Sequence, residues 1–115
     1  MNAPKITELF ELPDGAVSQV EMKDDSKAKN AAIFTLYLED HTAGNLLRYS
    51  LLRDESIRFA GYRKPHPLEN KIEIKVHTNG KKTPQDAMEN ASNRLYHEFA
   101  KMKNDFDYKI AQLKK

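Results

Sequence analysis

The chain has 115 residues and 13.3 kDa, enough for one domain that hides about two-thirds of its extended surface and too little for a second catalytic domain. Apolar residues, counting Gly and leaving out Tyr, come to about 38%, under the usual ~45–50% of a soluble domain, so the chain is short of core material and is expected to borrow burial from a partner. Nineteen Lys and Arg stand against seventeen Asp and Glu for a net +2, spread without a basic concentration, which argues against a protein that holds nucleic acid by neutralising phosphates. With no cysteine, a disulfide framework, a thiol nucleophile and a cysteine-bound zinc are excluded. Met1 to Lys5 lead into no apolar signal region, and the longest uncharged run, Asn30 to Leu38, is far below the ~20 residues that span a bilayer. A soluble, intracellular protein without membrane contact is expected.

Residues 1–15 read as an N-terminal extension whose apolar patch (Ile6, Leu9, Phe10, Leu12) stops at the turn signal Pro13-Asp14-Gly15. Val17 to Met22 reads as a weak strand and the charged Lys23 to Asn30 as a loop. Ala31 to Leu38 is the strongest strand: Phe34, Leu36 and Leu38 line one face and Ile33, Thr35 and Tyr37 the other, so both faces lean apolar and a central place in a sheet follows. The period then changes to that of a helix from Ala43 to about Arg53 with Thr42 as N-cap. Leu46, Leu47, Ser50 and Leu51 share a stripe with Ala43, while Tyr49 and Leu52 point away, so this helix wants cover on more than one side. Ile57 to Arg63 and Lys71 to Thr78 read as strands, joined through Lys64-Pro65-His66-Pro67. In the second, Ile72, Ile74 and Val76 alternate with Glu73, Lys75 and His77, and Asn79-Gly80 closes it.

Thr83-Pro84-Gln85-Asp86 is a helix start: Thr caps, Pro needs no N–H at the first helical position, and the acid can reach back to the cap. The apolar positions Met88, Ala91, Leu95, Phe99, Met102, Phe106, Ile110 and Leu113 follow at spacings of 3, 4, 4, 3, 4, 4 and 3. That is an eleven-residue repeat, which keeps the stripe almost straight. A helix over 83–113 is about 45 Å long, whereas a compact domain of this size is roughly 34 Å across. Its stripe therefore outruns the cover its own domain offers, and a second chain is expected there. The fold expected is α+β: a four-stranded, mostly antiparallel sheet with two helices on one face, the second long and projecting.

Enzyme motifs are absent. His41, His66, His77 and His97 fall in separate elements without metal-ligand spacing. Glu39-Asp40 are adjacent carboxylates of the kind usually left in solvent, the serines lack a triad context, and Gly44 and Gly61 stand alone rather than in a phosphate-cradling loop. No catalytic residue, metal or cofactor is expected. Gly44 is nonetheless unusual, because a Gly inside a helix costs about 1 kcal/mol relative to Ala and normally allows close approach of another backbone. Asn45 and Arg48, three residues apart on one helical face, are placed to bond an outside surface.

Glu39-Asp40-His41-Thr42-Ala43-Gly44-Asn45-Leu46-Leu47-Arg48 resembles the E-D-H-T-x-G-N-x-[LI]-[RK] motif of the α-like assembly subunits of multisubunit RNA polymerases. The likeness continues through Phe59-Ala60-Gly61-Tyr62, Pro65-His66-Pro67-Leu68-Glu69, Lys71-Ile72 and Thr83-Pro84-Gln85-Asp86-Ala87, and the start Met1-Asn2-Ala3-Pro4, Phe10 and Lys29-Asn30-Ala31 look like the polymerase II branch. Ala43 stands where Leu is more usual, and Tyr49 where bacterial α chains often carry a second Arg. The resemblance implies a non-catalytic, nuclear subunit that heterodimerises with the larger α-like subunit across a pseudo-two-fold axis and so seeds assembly of the enzyme that makes mRNA precursors. It implies a partner interface on Leu46, Leu47, Leu51, Leu52, Met88, Leu95, Phe99, Met102, Phe106 and Ile110. It further implies that His41, Thr42, Gly44, Asn45 and Arg48 dock on the second-largest catalytic subunit, with small polymerase subunits as further partners and no direct nucleic-acid contact. The alternatives are the small α-like subunit shared by polymerases I and III and, in another class, a stand-alone nucleic-acid-binding module.

Overall fold

A computed structural model of the chain describes residues 20–25 and 29–114; the expected extension over 1–15 and the first residues of the expected strand lie outside these. The elements run β1 (Val20–Asp24), β2 (Ala31–Tyr37), α1 (His41–Leu52), β3 (Ile57–Arg63), β4 (Lys71–Thr78) and α2 (Pro84–Leu113). The strands form one sheet in the order β1-β2-β4-β3, with every pairing antiparallel. This is the expected α+β architecture.

The two-faced β2 is central, as its apolar pattern requires, and pairs with β4 from Ala31↔His77 to Tyr37↔Lys71. One side of the sheet carries Ala32, Phe34 and Leu36 from β2, Ala60 from β3 and Ile72, Ile74 and Val76 from β4, and both helices pack on it. Leu51 of α1 and Ala87 and Ala91 of α2 complete this core. Full burial of each large aliphatic side chain contributes on the order of 1.5–3 kcal/mol. Small residues at Ala87, Ala91 and Ser50, all buried, let the helices approach closely. There the Ser50 hydroxyl donates to the Ala91 carbonyl at 2.9 Å, and the Arg94 guanidinium donates to the Ser50 carbonyl at 2.5 Å.

Three local boundaries differ from the sequence reading. β1 runs on to Asp24 through residues expected to form a loop, because Lys23 and Asp24 pair by backbone with Ile33 and Ala32 whatever their side chains. The N-cap of α1 is Asp40, not Thr42: Asp40 is extended (φ −132°) and its carboxylate accepts the Thr42 N–H at 3.0 Å, so the helix begins at His41. Leu38 leaves the strand with φ +64° and donates its N–H to the Asn70 carbonyl at 2.6 Å. The start of α2 is as expected, with Thr83 Oγ1 accepting the Asp86 N–H at 3.1 Å and Pro84 at the first position.

α2 has 30 residues, or about 45 Å, in a chain whose radius of gyration is 17.0 Å against the roughly 13 Å of a compact domain this long. The helix does extend past the sheet.

Candidate functional site

The stripe along α2 divides into two halves. Ala87 and Ala91 are buried and Met88 packs on the core, with Leu95 half-buried. From Phe99 onward the same stripe is open: Phe99 is 48% exposed, Met102 51%, Phe106 61%, Ile110 46% and Leu113 74%. Every residue described from Lys101 to Lys114 is exposed. Five large apolar side chains on one face of one helix form a patch of the kind that marks a protein contact.

α1 presents two other faces. Leu46, Ser50 and Arg53 (i, i+4, i+7) lie on the α2 side, as the Ser50–Ala91 bond and the Arg53–Glu98 ion pair at 2.5 Å show. Leu47 packs on the core and Leu51, expected at the partner interface, is fully enclosed by its own chain. His41, Asn45, Arg48 and Leu52 (i, i+4, i+7, i+11) are exposed together on the outer face. Leu52, expected at the partner interface, is half exposed and lies beside the polar motif residues. Sequence reasoning saw only that Leu52 left the main stripe, not where it went.

The glycine of the motif is explained within the chain. Gly44 is buried, and a β-carbon there would stand 2.6 Å from Tyr62 Cδ2 and 2.9 Å from Tyr62 Cγ. A side chain of β3, rather than a foreign backbone, occupies the space, so Gly44 brings α1 down onto the sheet and is not itself exposed for docking. The Tyr62 ring then meets His41 edge-on with centroids 5.6 Å apart, and the Tyr62 hydroxyl lies 3.3 Å from His41 Nδ1. Tyr62 was not singled out for this from sequence; its alternation with Ala60 on β3 is the signal that placed it on the helix side. Thr42, His41, Asn45 and Arg48 are left at the surface around that pivot.

Elsewhere the polar groups serve the fold. Burial alone raises the Asp54 carboxyl, but the Ser56 N–H, the Lys82 ammonium and the Ser56 hydroxyl together hold it below the usual carboxylate range. Asp54 Oδ1 accepts from Ser56 N and Oγ, both at 2.9 Å, and Oδ2 accepts from Lys82 Nζ at 3.0 Å. This ties the α1–β3 turn to the β4–α2 loop. On the helix-free side an open concavity of about 350 Å³ lies around Ile33, Phe59 and Gly61. Its charged rim is committed to ion pairs, Arg63 with Glu73 at 3.6 Å and Lys75 with Asp25 at 3.1 Å, so it does not offer the convergent free polar groups of a substrate site. Among the described residues no cluster of His, Asp and Glu is arranged to hold a metal ion, and no helix is long and apolar enough to cross a membrane.

Residues 31–105 match the family described as the RNA polymerase Rpb3/Rpb11 dimerisation domain. The chain is 47% identical over 106 residues to the DNA-directed RNA polymerase II subunit rpb11 of Dictyostelium discoideum, covering 92% of this chain and 88% of that one. It is 39% identical over 106 residues to the RPB11 subunit of Schizosaccharomyces pombe, covering 92% and 85%. Among solved structures, the DNA-directed RNA polymerase subunit L of Thermoplasma acidophilum superposes with a TM-score of 0.66 at 22% identity, over 83% of this chain and 93% of that one, which shows a shared fold. With a domain-long match and close relatives over nearly the whole sequence, the chain belongs to the RNA polymerase Rpb3/Rpb11 dimerisation-domain family.

Proposed function

We propose that this chain is the small α-like subunit of RNA polymerase II, a non-catalytic part of the enzyme that pairs with a larger, Rpb3-like α-like subunit to form the platform on which the core assembles. The observation that carries this is the distal half of α2, where Phe99, Met102, Phe106 and Ile110 are about half exposed or more on one helical face in a chain of a dimerisation family. Covering such a face is worth more to the pair than to either chain alone. Met88, Leu95 and Leu46 continue the seam toward the body of the domain.

The outer face of α1, with His41, Thr42, Asn45 and Arg48, is the second contact surface and faces the second-largest catalytic subunit, with small polymerase subunits nearby. Mixed charge totalling +2 fits protein neighbours rather than a nucleic-acid track, and the work is done in the nucleus. The names of the relatives favour polymerase II over the subunit shared by polymerases I and III; mass spectrometry of a tagged pull-down distinguishes the two.

Co-expression with the larger α-like subunit is expected to give a one-to-one complex that survives gel filtration. Phe99→Asp is expected to abolish it, because pairing would enclose an unpaired carboxylate, while the isolated variant keeps its fold at a half-exposed position. A complex unaffected by Phe99→Asp overturns the seam, and no complex at all overturns the assignment.

A further inference from the structure

The helices do not cover the whole sheet. α1 packs mainly on β3 and β4, and α2 mainly on β4 and β2, so among the described residues neither helix has its main packing on the edge strand β1. Register places Val20 opposite Leu36 and Met22 opposite Phe34, on the helix-bearing side. Glu21, one residue out of phase, accepts the Tyr37 hydroxyl at 3.2 Å on the other side, which fixes the alternation. Leu36 and Phe34 are 9% and 4% exposed, but Val20 and Met22 are 51% and 44% exposed. The apolar rows that begin at β4 therefore run out past the edge of their own helical cover.

The described residues thus present two exposed apolar surfaces of complementary kinds: a helix stripe that overhangs its sheet, and a strip of sheet at β1 away from the main helix packing. The family description names Rpb3 and Rpb11 as one type of dimerisation domain, so a partner built on the same domain would bring a helix equivalent to α2. In a pairing of like with like about a two-fold axis, what one chain gives the other receives. Spacing agrees. Packed helices lie 8–10 Å apart and strands about 4.8 Å apart, so a second helix laid beside one that sits over β4 and β2 comes down over β1.

We propose that the helix-bearing side of β1, through Val20 and Met22, is the floor on which the apolar stripe of the partner's long C-terminal amphipathic helix rests, in exchange for the cover that the partner gives to Phe99 through Leu113. This rests on the heterodimer reading above and adds to it a surface that precedes the family match, which starts at residue 31.

The test uses the full chain co-purified with the larger α-like subunit, with the photoreactive amino acid p-benzoylphenylalanine at position 22. Irradiation is expected to crosslink position 22 to the partner's long C-terminal helix, read by peptide mass spectrometry. A heterodimer that forms normally but crosslinks only within this chain, or to another part of the partner, overturns the floor and leaves the heterodimer standing. Failure of the unsubstituted chains to pair overturns both. In a second arm, the double variant Val20→Glu with Met22→Glu is expected to weaken pairing at least tenfold in Kd without changing the circular dichroism of the isolated chain. Lys23→Glu, on the helix-free side, is expected to leave Kd unchanged. Equal Kd values for the double variant and the unsubstituted chain reject the proposal.

Discussion

Gly44 lies against the flat of the Tyr62 ring, close enough that a single added methyl group would stand 2.6 Å from Cδ2. Gly44→Ala gains up to about 1 kcal/mol of helix propensity but forces α1 off the sheet or turns the ring, at a typical overpacking cost of about 1–3 kcal/mol. The expected result is a net loss of about 1–2 kcal/mol by urea unfolding, with the His41–Tyr62 contact disturbed. Gly44→Ala combined with Tyr62→Leu is expected to recover part of that loss, because the flat ring that blocks the methyl is gone.

The bond from Ser50 to Ala91 joins α1 to α2 inside the protein. Ser50→Ala is expected to cost about 1 kcal/mol, the ordinary worth of one such bond, with no effect on pairing. Ser50→Leu is expected to cost more, since the position is fully enclosed and the larger side chain pushes the helices apart. Thermal unfolding of the two variants checks the order.

Asp54 supplies a pH dependence of known sign. Its folded pKa is depressed by its partners, so the stabilisation is complete above the ordinary Asp value of about 3.9 and is lost as pH falls through the lower folded value. Asp54→Asn is expected to cost about 1–2 kcal/mol at pH 7. The gap between the variant and the parent chain is expected to shrink below about pH 4, as urea titrations at several pH values would show.

Deleting residues 104–115 separates fold from assembly. The residues removed that the structure describes, 104–114, are all exposed, so the isolated chain is expected to melt within a degree or two of the full one. Pairing with the larger α-like subunit is expected to fall by more than tenfold with the loss of Phe106, Ile110 and Leu113. A truncated chain that pairs as before would place the seam entirely upstream of residue 104.

Much of this was legible in the residue order, where burial imposes a period. The doubly apolar β2, the alternation of Ile72, Ile74 and Val76, and the three-four spacing of α2 each fixed an element and its inward side. The parts that were not legible depend on contacts between elements distant in sequence. β1 extends to Asp24 because a neighbouring backbone offers pairing, not because its side chains ask for it. Asp40 and Thr42 are both good caps, and only the backbone turn at Asp40 selects between them. Gly44 announced a close approach, but that a tyrosine on β3 would make it required knowing which strand passes beneath α1. Leu51 and Leu52 are neighbours of the same type, and one is enclosed while the other is half exposed, a division set by where α1 meets the sheet.

The overhang of α2 also bears on what happens to copies that lack a mate. Such a molecule carries a row of phenylalanine, methionine, isoleucine and leucine side chains open to water, ready to adhere to one another or to the machinery that clears unassembled proteins. Supply of the second chain would then govern how long the first survives, and the two would accumulate in matched amounts without any separate control over their synthesis.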